Sequence, residues 1–309
     1  MQTTIKSAVG FTGIGLHSGR PVRMKILPAS AEYGIWFHRT DVKNVDAMVP
    51  ARWDAVQAVP LCTRLVNGAG VSVSTVEHVM AALAGCGIHN ALIELNGPEV
   101  PILDGSAAPF VAGIVSRGTR HLDAPIRAIQ VLEQVEVRHG DAVARLDPAT
   151  ALEIDFRIEF AEPAIGTQAK SLHMANGAFV RELCDSRTFC RQSDVDAMRA
   201  QGQALGGTLE NAVVFDGTRI LSPGGLRHAD EAVRHKMLDA LGDLALAGGP
   251  LLARYTGIRA GHALTNHLLR ALFARPQTYR VVMCDAATTA LLPGNGVGRA
   301  DIAGLQHAA

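Results

Sequence analysis

One frame occurs twice in the chain and constrains its fold more than any other feature. Val76-Glu77-His78-Val79-Met80 and Val233-Arg234-His235-Lys236-Met237 share V-x-H-x-M, each inside a helical stretch with strands on both sides. Five positions do not establish a duplication, but they fit two similar α+β halves facing each other, with a histidine from each at the junction. The 309 residues suffice for two such halves. Both helices carry boundary signals. SVSTVEHVMAALAGCG opens on a capping-box pattern, Ser74-x-x-Glu77, and stops at Gly85 and Gly87. Over Asp230–Ala247, Val233, Met237, Ala240, Leu241 and Leu244 recur at helical spacing until Gly248-Gly249-Pro250.

The remaining punctuation fills in the halves. Arg23–Leu27, Gly34–Phe37 and Asn90–Leu95 read as strands, and Ser106–Arg117 as a second helix behind Asp104-Gly105. The polar segment Arg117–Arg127 reads as a linker, which predicts domains over 1–122 and 123–309. Beyond it Ala128–Val137, Ala142–Leu146 and Leu152–Phe160 read as strands. A short helix is expected near Asn176–Leu183, a polar insertion with a helical turn or two over Arg191–Thr208, and a helix from Ala263 to Ala274. The last fifteen residues, rich in glycine and alanine, are expected to be loosely held.

Composition removes several classes. Hydrophobic residues make up 48% and charged residues 19%, so the chain can build a packed core and is not globally disordered. Lys plus Arg (29) balance Asp plus Glu (29), which argues against nucleic-acid partners and polybasic membrane attachment. No apolar run reaches the roughly 18 residues of a membrane span. The opening MQTTIKSAVGFTGIGLHSG lacks the apolar segment of a secretory signal. Five cysteines without a C-x-x-C pair suit neither a disulfide scaffold nor a cysteine-ligated zinc. A cytoplasmic monomer acting on a small molecule is the expectation.

The twelve histidines carry the chemistry. His235 and Asp239 lie one turn apart on one helix face, where imidazole and carboxylate can converge on a metal. Alone, the pair reads rather as a solvated face, His78 as a satisfied core histidine, and Glu77 as a capping residue. Together His78, His235 and Asp239 supply two nitrogens and an oxygen, a set that suits catalytic zinc with an open position. Glu77, adjacent to a ligand, is then placed to act as base. His262 reads either as a helix-entry residue or as an imidazolium that stabilises an oxyanion, with Asp243 one turn beyond Asp239 to charge it. Gly13–Gly19 lacks the G-K-[ST] ending of a phosphate loop. Cys62 reads as a small buried hydrophobe.

GIGLHSG, STVEHVMAALAG, GPEVPILDGSAAPFV, SRTF, GLRHADEAVRHKMLDALGDLALAG and GHALTNHLLRAL follow one another in that order. From about Ile5 to Phe273 the chain closely resembles the zinc-dependent UDP-3-O-acyl-N-acetylglucosamine deacetylases, which commit sugar precursors to lipid A synthesis in Gram-negative bacteria. The resemblance implies two β-α-α-β layered domains packed helix face to helix face, each with a small insert. It implies zinc held by His78, His235 and Asp239, Glu77 as general base, and His262 as its positively charged partner beside Asp243. Thr188 falls at the position of the hydroxyl that holds the oxyanion. Phe189 and Lys236 fall at substrate-contacting positions, and Leu61 and Cys62 at residues lining the site. Arg191–Val214 matches the insert whose apolar passage holds the acyl chain. The implied substrate is an acylated UDP-amino sugar, hydrolysed to the free amine and acetate. The chain departs from the family at His89, where Asp is usual, at Cys190 after SRTF, and at Arg259-Ala260, where K-S is common. His89 is expected to disturb hydrogen bonding at the end of the first helix. Two other readings stay open: a metal amidase acting on another acylated nucleotide sugar, and a weakened paralogue that binds nucleotide sugar without turnover.

Overall fold

The computed structural model describes residues 1–303 and 305. The protein is mixed α+β, and its two larger sheets repeat one pattern. In the first, Val9–Ile14, Pro21–Pro28, Ala91–Leu95, Ile35–Arg39 and Met48–Pro50 lie side by side in that order. Its central strand, Ala91–Leu95, runs antiparallel to Pro21–Pro28 and parallel to Ile35–Arg39. In the second, Leu251–Ile258 runs antiparallel to Ala142–Pro148 and parallel to Glu153–Glu159, with Val135–His139 and Thr167–His173 outside them. Arg127–Val131 and Tyr279–Met283 extend this sheet to seven strands. The V-x-H-x-M echo is therefore accompanied by a repeated order of strands and strand directions.

The helices enter at matching points. α1 (Glu77–Gly85) leads into the first central strand, and α2 (Ala108–Arg117) follows it. In the second half, after α3 (Ala178–Glu182) and α4 (Gln192–Ala200), α5 (Glu231–Ala245) leads into the central strand and α6 (His262–Phe273) follows. α7 (Ala286–Ala290) lies near the end of the chain. A small sheet precedes α1, built from Val56–Gln57, Arg64–Val66 and Ser72–Ser74. Its counterpart before α5 comprises Phe189–Arg191, Val213–Asp216 and Arg219–Ile220 and carries α4.

α1 is buried on nearly every side, as its Val-Met-Ala-Ala-Leu composition demands. One core unites it with α5 and with residues of both large sheets, among them Phe37, Ile93, Ile154 and Tyr255. Where α5 crosses α1, a Cβ on Gly242 would run into the carbonyl oxygen of Glu77, so only glycine admits this approach. No helix among the described residues is long and apolar enough to cross a membrane.

Two local expectations need correction, and one strand carried no expectation. The segment expected as a linker contains a strand, Thr119–His121, paired antiparallel with Thr3–Ile5. Ala128–Val137 is two strands with different neighbours, separated at 132–134. Thr167–His173 is a strand whose sequence, TQAKSLH, has too few apolar residues to signal one, because it pairs along only one edge and is largely exposed. Of the tail expected to be loosely held, 304 and 306–309 lie outside the described residues. Arg299–Ile302 forms a 3-10 turn with Ile302 buried.

Candidate active site

α1 presents its chemistry from its N-terminal end, and α5 meets it along its first and middle turns. His78 from α1 and His235 and Asp239 from α5 are all buried, with their ligand atoms within 4.8 Å of one another. His235 Nε2 lies 3.2 Å and His78 Nε2 3.7 Å from Asp239 Oδ1. Among the described residues that oxygen is buried without a hydrogen-bond partner, whereas Oδ2 accepts from Lys236 Nζ at 2.7 Å. A buried carboxylate oxygen is rarely left bare. Here it faces two imidazole nitrogens, an arrangement that fits a metal ion. His235 Nδ1 lies 3.0 Å from the carbonyl oxygen of Ser186, which fixes the ring with Nδ1–H donating and Nε2 free to ligate. Burial, reinforced by His235, pushes His78 down to about 3, so it stays neutral as a ligand must.

Glu77 does not form the expected capping box. α1 begins at Glu77 itself, Val76 precedes it in helical conformation, and no side chain caps the end. The Glu77 carboxylate instead accepts from the backbone N–H of Thr63 through Oε2 at 3.0 Å. Its Oε1 lies 3.9 Å from His262 Nε2. Burial and the nearby Asp239 and Asp243 push the Glu77 carboxyl up to about 7 against the opposing pull of His262. His262, the first residue of α6, bonds Asp243 through Nδ1 at 2.8 Å. Burial works against its charge, but Asp243, Glu77 and Asp239 outweigh it and raise His262 to about 9. It is an imidazolium at neutral pH.

A cleft of about 480 Å³ opens over these groups and is lined also by Leu61, Phe160, Thr188, Phe189 and Lys236. Thr188 is held by its backbone, whose N–H donates to Gly105 O and whose carbonyl accepts from Val213 N. Phe189 packs edge-on to Phe160 and Phe215. Exposed Leu61 takes a positive φ of 73° at the rim. Cys62 is buried and its thiol is pushed up to about 12, which suits a hydrophobe and not a nucleophile. A second cavity of about 290 Å³ shares Leu16, Leu61, Thr188, Phe189, Cys190 and Met198 with the cleft and continues past Leu209, Val214 and Leu221.

Thus Glu77, His78, Thr188, Phe189, His235, Lys236, Asp239 and His262 all line one cleft, with Leu61 at its rim and Asp243 behind His262. Two positioning residues carried no sequence signal. Thr63 donates its N–H to Glu77 and its hydroxyl to Asp243 at 2.5 Å, linking Glu77 to the Asp243–His262 pair. Ser186 holds His235 through a carbonyl, a role any residue type could fill. Glu99 was also missed. It accepts from His17 N and Ser18 N at 2.8 and 2.9 Å, so the amides of the glycine loop serve an internal carboxylate and not a phosphate.

The family model for UDP-3-O-acyl N-acetylglycosamine deacetylase matches residues 2–274. A protein of Phenylobacterium zucineum named UDP-3-O-acyl-N-acetylglucosamine deacetylase is 51% identical over 280 residues, covering 91% of this chain and 96% of the relative. Relatives of the same name from an Anaeromyxobacter species and Shewanella oneidensis are 48% and 43% identical. They cover 91% and 96% of this chain, and 91% and 98% of their own lengths. With a match of that extent, the chain belongs to the UDP-3-O-acyl N-acetylglycosamine deacetylase family.

Proposed function

We propose that the protein is a zinc-dependent cytoplasmic amidohydrolase that removes the acetyl group from UDP-3-O-acyl-N-acetylglucosamine, releasing acetate and committing the sugar to lipid A synthesis. The observation that carries this reading is the bare Asp239 Oδ1 facing His78 and His235, with a carboxylate and an imidazolium beside it. His78, His235 and Asp239 would hold the metal. When bound, zinc polarises a carbonyl and lowers the pKa of a water to about 7.

The chain's own residues perform the rest. Lys236 holds Asp239 by one oxygen and leaves the other for ligation. Glu77 is held at Oε2 by Thr63, and its Oε1 takes the proton from the attacking water. Charge that develops on the acetamide oxygen is met by the Thr188 hydroxyl and the His262 imidazolium, which Asp243 keeps protonated. The leaving amine takes its proton from Glu77, protonated in the first step, or from His262. Phe189 and Lys236 contact the sugar nucleotide, Leu61 lines the site with Cys62 buried beside it, and the cavity past Leu209 and Val214 takes the acyl chain. The same reading divides the chain into domains at 122/123, supported by the repeated strand order.

The test measures acetate released from UDP-3-O-acyl-N-acetylglucosamine with and without a chelator, together with metal content. Turnover that chelation abolishes and zinc restores is expected, with about one zinc per chain, lost in His78→Ala and Asp239→Ala. Full metal in both variants, or chelator-insensitive turnover, overturns the assignment.

A further inference from the structure

α1 and α5 have a second shared surface, at the ends opposite to His78 and His235. A cavity of about 390 Å³ lies there, within the range of about 300–1,000 Å³ that small-molecule sites occupy. Its apolar lining includes Met80 and Leu83 of α1, Leu241 and Leu244 of α5, Trp36 of the first large sheet, and Leu152, the residue before the strand Glu153–Glu159 of the second. Elements of both halves therefore enclose it, a common position for ligand sites. One wall is a fixed polar network. Asn90 Oδ1 accepts from Gly34 N, Asn90 Nδ2 donates to Gln2 Oε1, and Gln2 Nε2 donates to Glu32 Oε1.

The charge at this cavity favours one kind of ligand. Glu32 is its one acidic lining residue, and it already accepts from Gln2 and from Arg127 Nη1. Arg52 and Arg127 also line it, and both side chains are more than half exposed, at 57% and 56%. Arg52 bonds Asp54 through Nε and Nη2. Among the described residues, Arg52 Nη1 and Arg127 Nε and Nη2 have no acceptor. Both helices end here, and a helix C-terminus attracts cations. Its carbonyls are already taken, however: those of Ala82, Leu83 and Ala84 by Cys86, Ile88 and Gly87, and those of Asp243, Leu244 and Ala245 by Leu246, Ala247 and Gly248. The free guanidinium N–H groups of Arg52 and Arg127 therefore remain available to an anionic ligand.

We propose that this cavity is a second small-molecule site, separate from the catalytic cleft, and that it takes an amphipathic monocarboxylate. The aliphatic body lies against Met80, Leu83, Leu241 and Leu244, and the carboxylate meets Arg52 and Arg127. Guanidinium groups suit this role because their N–H pairs match the two oxygens of a carboxylate.

The test uses the full-length chain and does not depend on deacetylation or on metal, so it fails or succeeds independently of the proposed function. Trp53→Phe leaves Trp36, in the cavity wall, as the sole tryptophan. Decanoate, kept below its micelle-forming concentration, is expected to change Trp36 fluorescence saturably. Decanol should bind at least tenfold more weakly, as should decanoate to the Arg52→Gln/Arg127→Gln double variant. Ala245→Phe, which fills the cavity, should abolish the response. If that variant does not fold, the double variant at exposed positions decides. No saturable response, equal affinity for decanol, or unchanged affinity in the double variant overturns the proposal.

Discussion

Glu77 and Glu231 are both buried acids, and their surroundings give them opposite properties. Glu77 has one N–H donor and two nearby carboxylates, so burial wins and its carboxyl rises to about 7. Glu77→Gln keeps an oxygen for Thr63 N–H but cannot accept a proton. It should retain metal and lose turnover by about 10²–10⁴-fold, the range for a general base. Steady-state kinetics with metal analysis checks this, and near-normal turnover removes Glu77 from the chemistry. Glu231 accepts four bonds, from Arg187 N, Nε and Nη2 and from Arg227 N. Burial opposes its charge, but these donors prevail and hold its carboxyl below 4.5. Its contribution to stability is therefore complete above pH 4.5 and is lost as pH falls through the lower folded value. Glu231→Gln should cost about 3 kcal/mol at pH 7, the scale for breaking a buried pair. The gap from wild type should narrow as urea unfolding is repeated at pH values below 4.5. A gap independent of pH would mean that the carboxylate charge contributes nothing. His89 follows the end of α1. Its Nδ1 accepts from Thr3 N at 3.2 Å, and burial pushes the ring down to about 4, so it remains a neutral acceptor.

The contact of α1 with α5 governs the site, because each helix carries part of the donor set. Gly242 is the point of closest approach, where α5 passes the Glu77 carbonyl. Gly242→Ala would raise helix propensity by about 1 kcal/mol in an isolated helix. Here the methyl group meets backbone that cannot move without carrying Glu77 and His78 with it. Overpacking should prevail, with a net loss of about 1–3 kcal/mol and a fall in turnover. Thermal unfolding and kinetics measure both effects. A stabilised, fully active variant would show that the helix spacing is adjustable. Arg187 adds a second link between elements. It lies between Ser186 and Thr188 in sequence, and its pairing with the first residue of α5 ties their segment to the helix that bears His235.

At the scale of the whole molecule, the proposed ligand set joins parts of the chain more than 150 residues apart, His78 on one side and His235 and Asp239 on the other. A metal bound there links the two halves and binds the folded state alone. At a free concentration 100 times its Kd it should stabilise folding by about 2.7 kcal/mol. Chelation should therefore lower Tm, zinc should restore it, and His78→Ala should abolish the difference. Calorimetry with and without chelator tests this, and a Tm indifferent to metal in wild type would place the metal elsewhere.

The helices that carry the chemistry were legible in the sequence because helical periodicity and glycine stops are local. α5 was expected over Asp230–Ala247 and runs Glu231–Ala245, and His235 and Asp239 share a face by spacing alone. The motifs in fixed order identified the family for the same reason. What depends on distant partners was not legible. Ser74-x-x-Glu77 has the spacing of a capping box, yet tertiary contact with Thr63 competes for the Glu77 carboxylate and wins. Thr167–His173 is a strand because a neighbouring edge pairs with it, not because its residues favour one. Residue order determined which donors exist and which share a helix. Only the close packing of α1 on α5 decided that His78 faces Asp239, that one Asp239 oxygen is left bare, and that a second cavity lies at the other end of the pair. Each of these depends on the distance between helices, which no local pattern encodes.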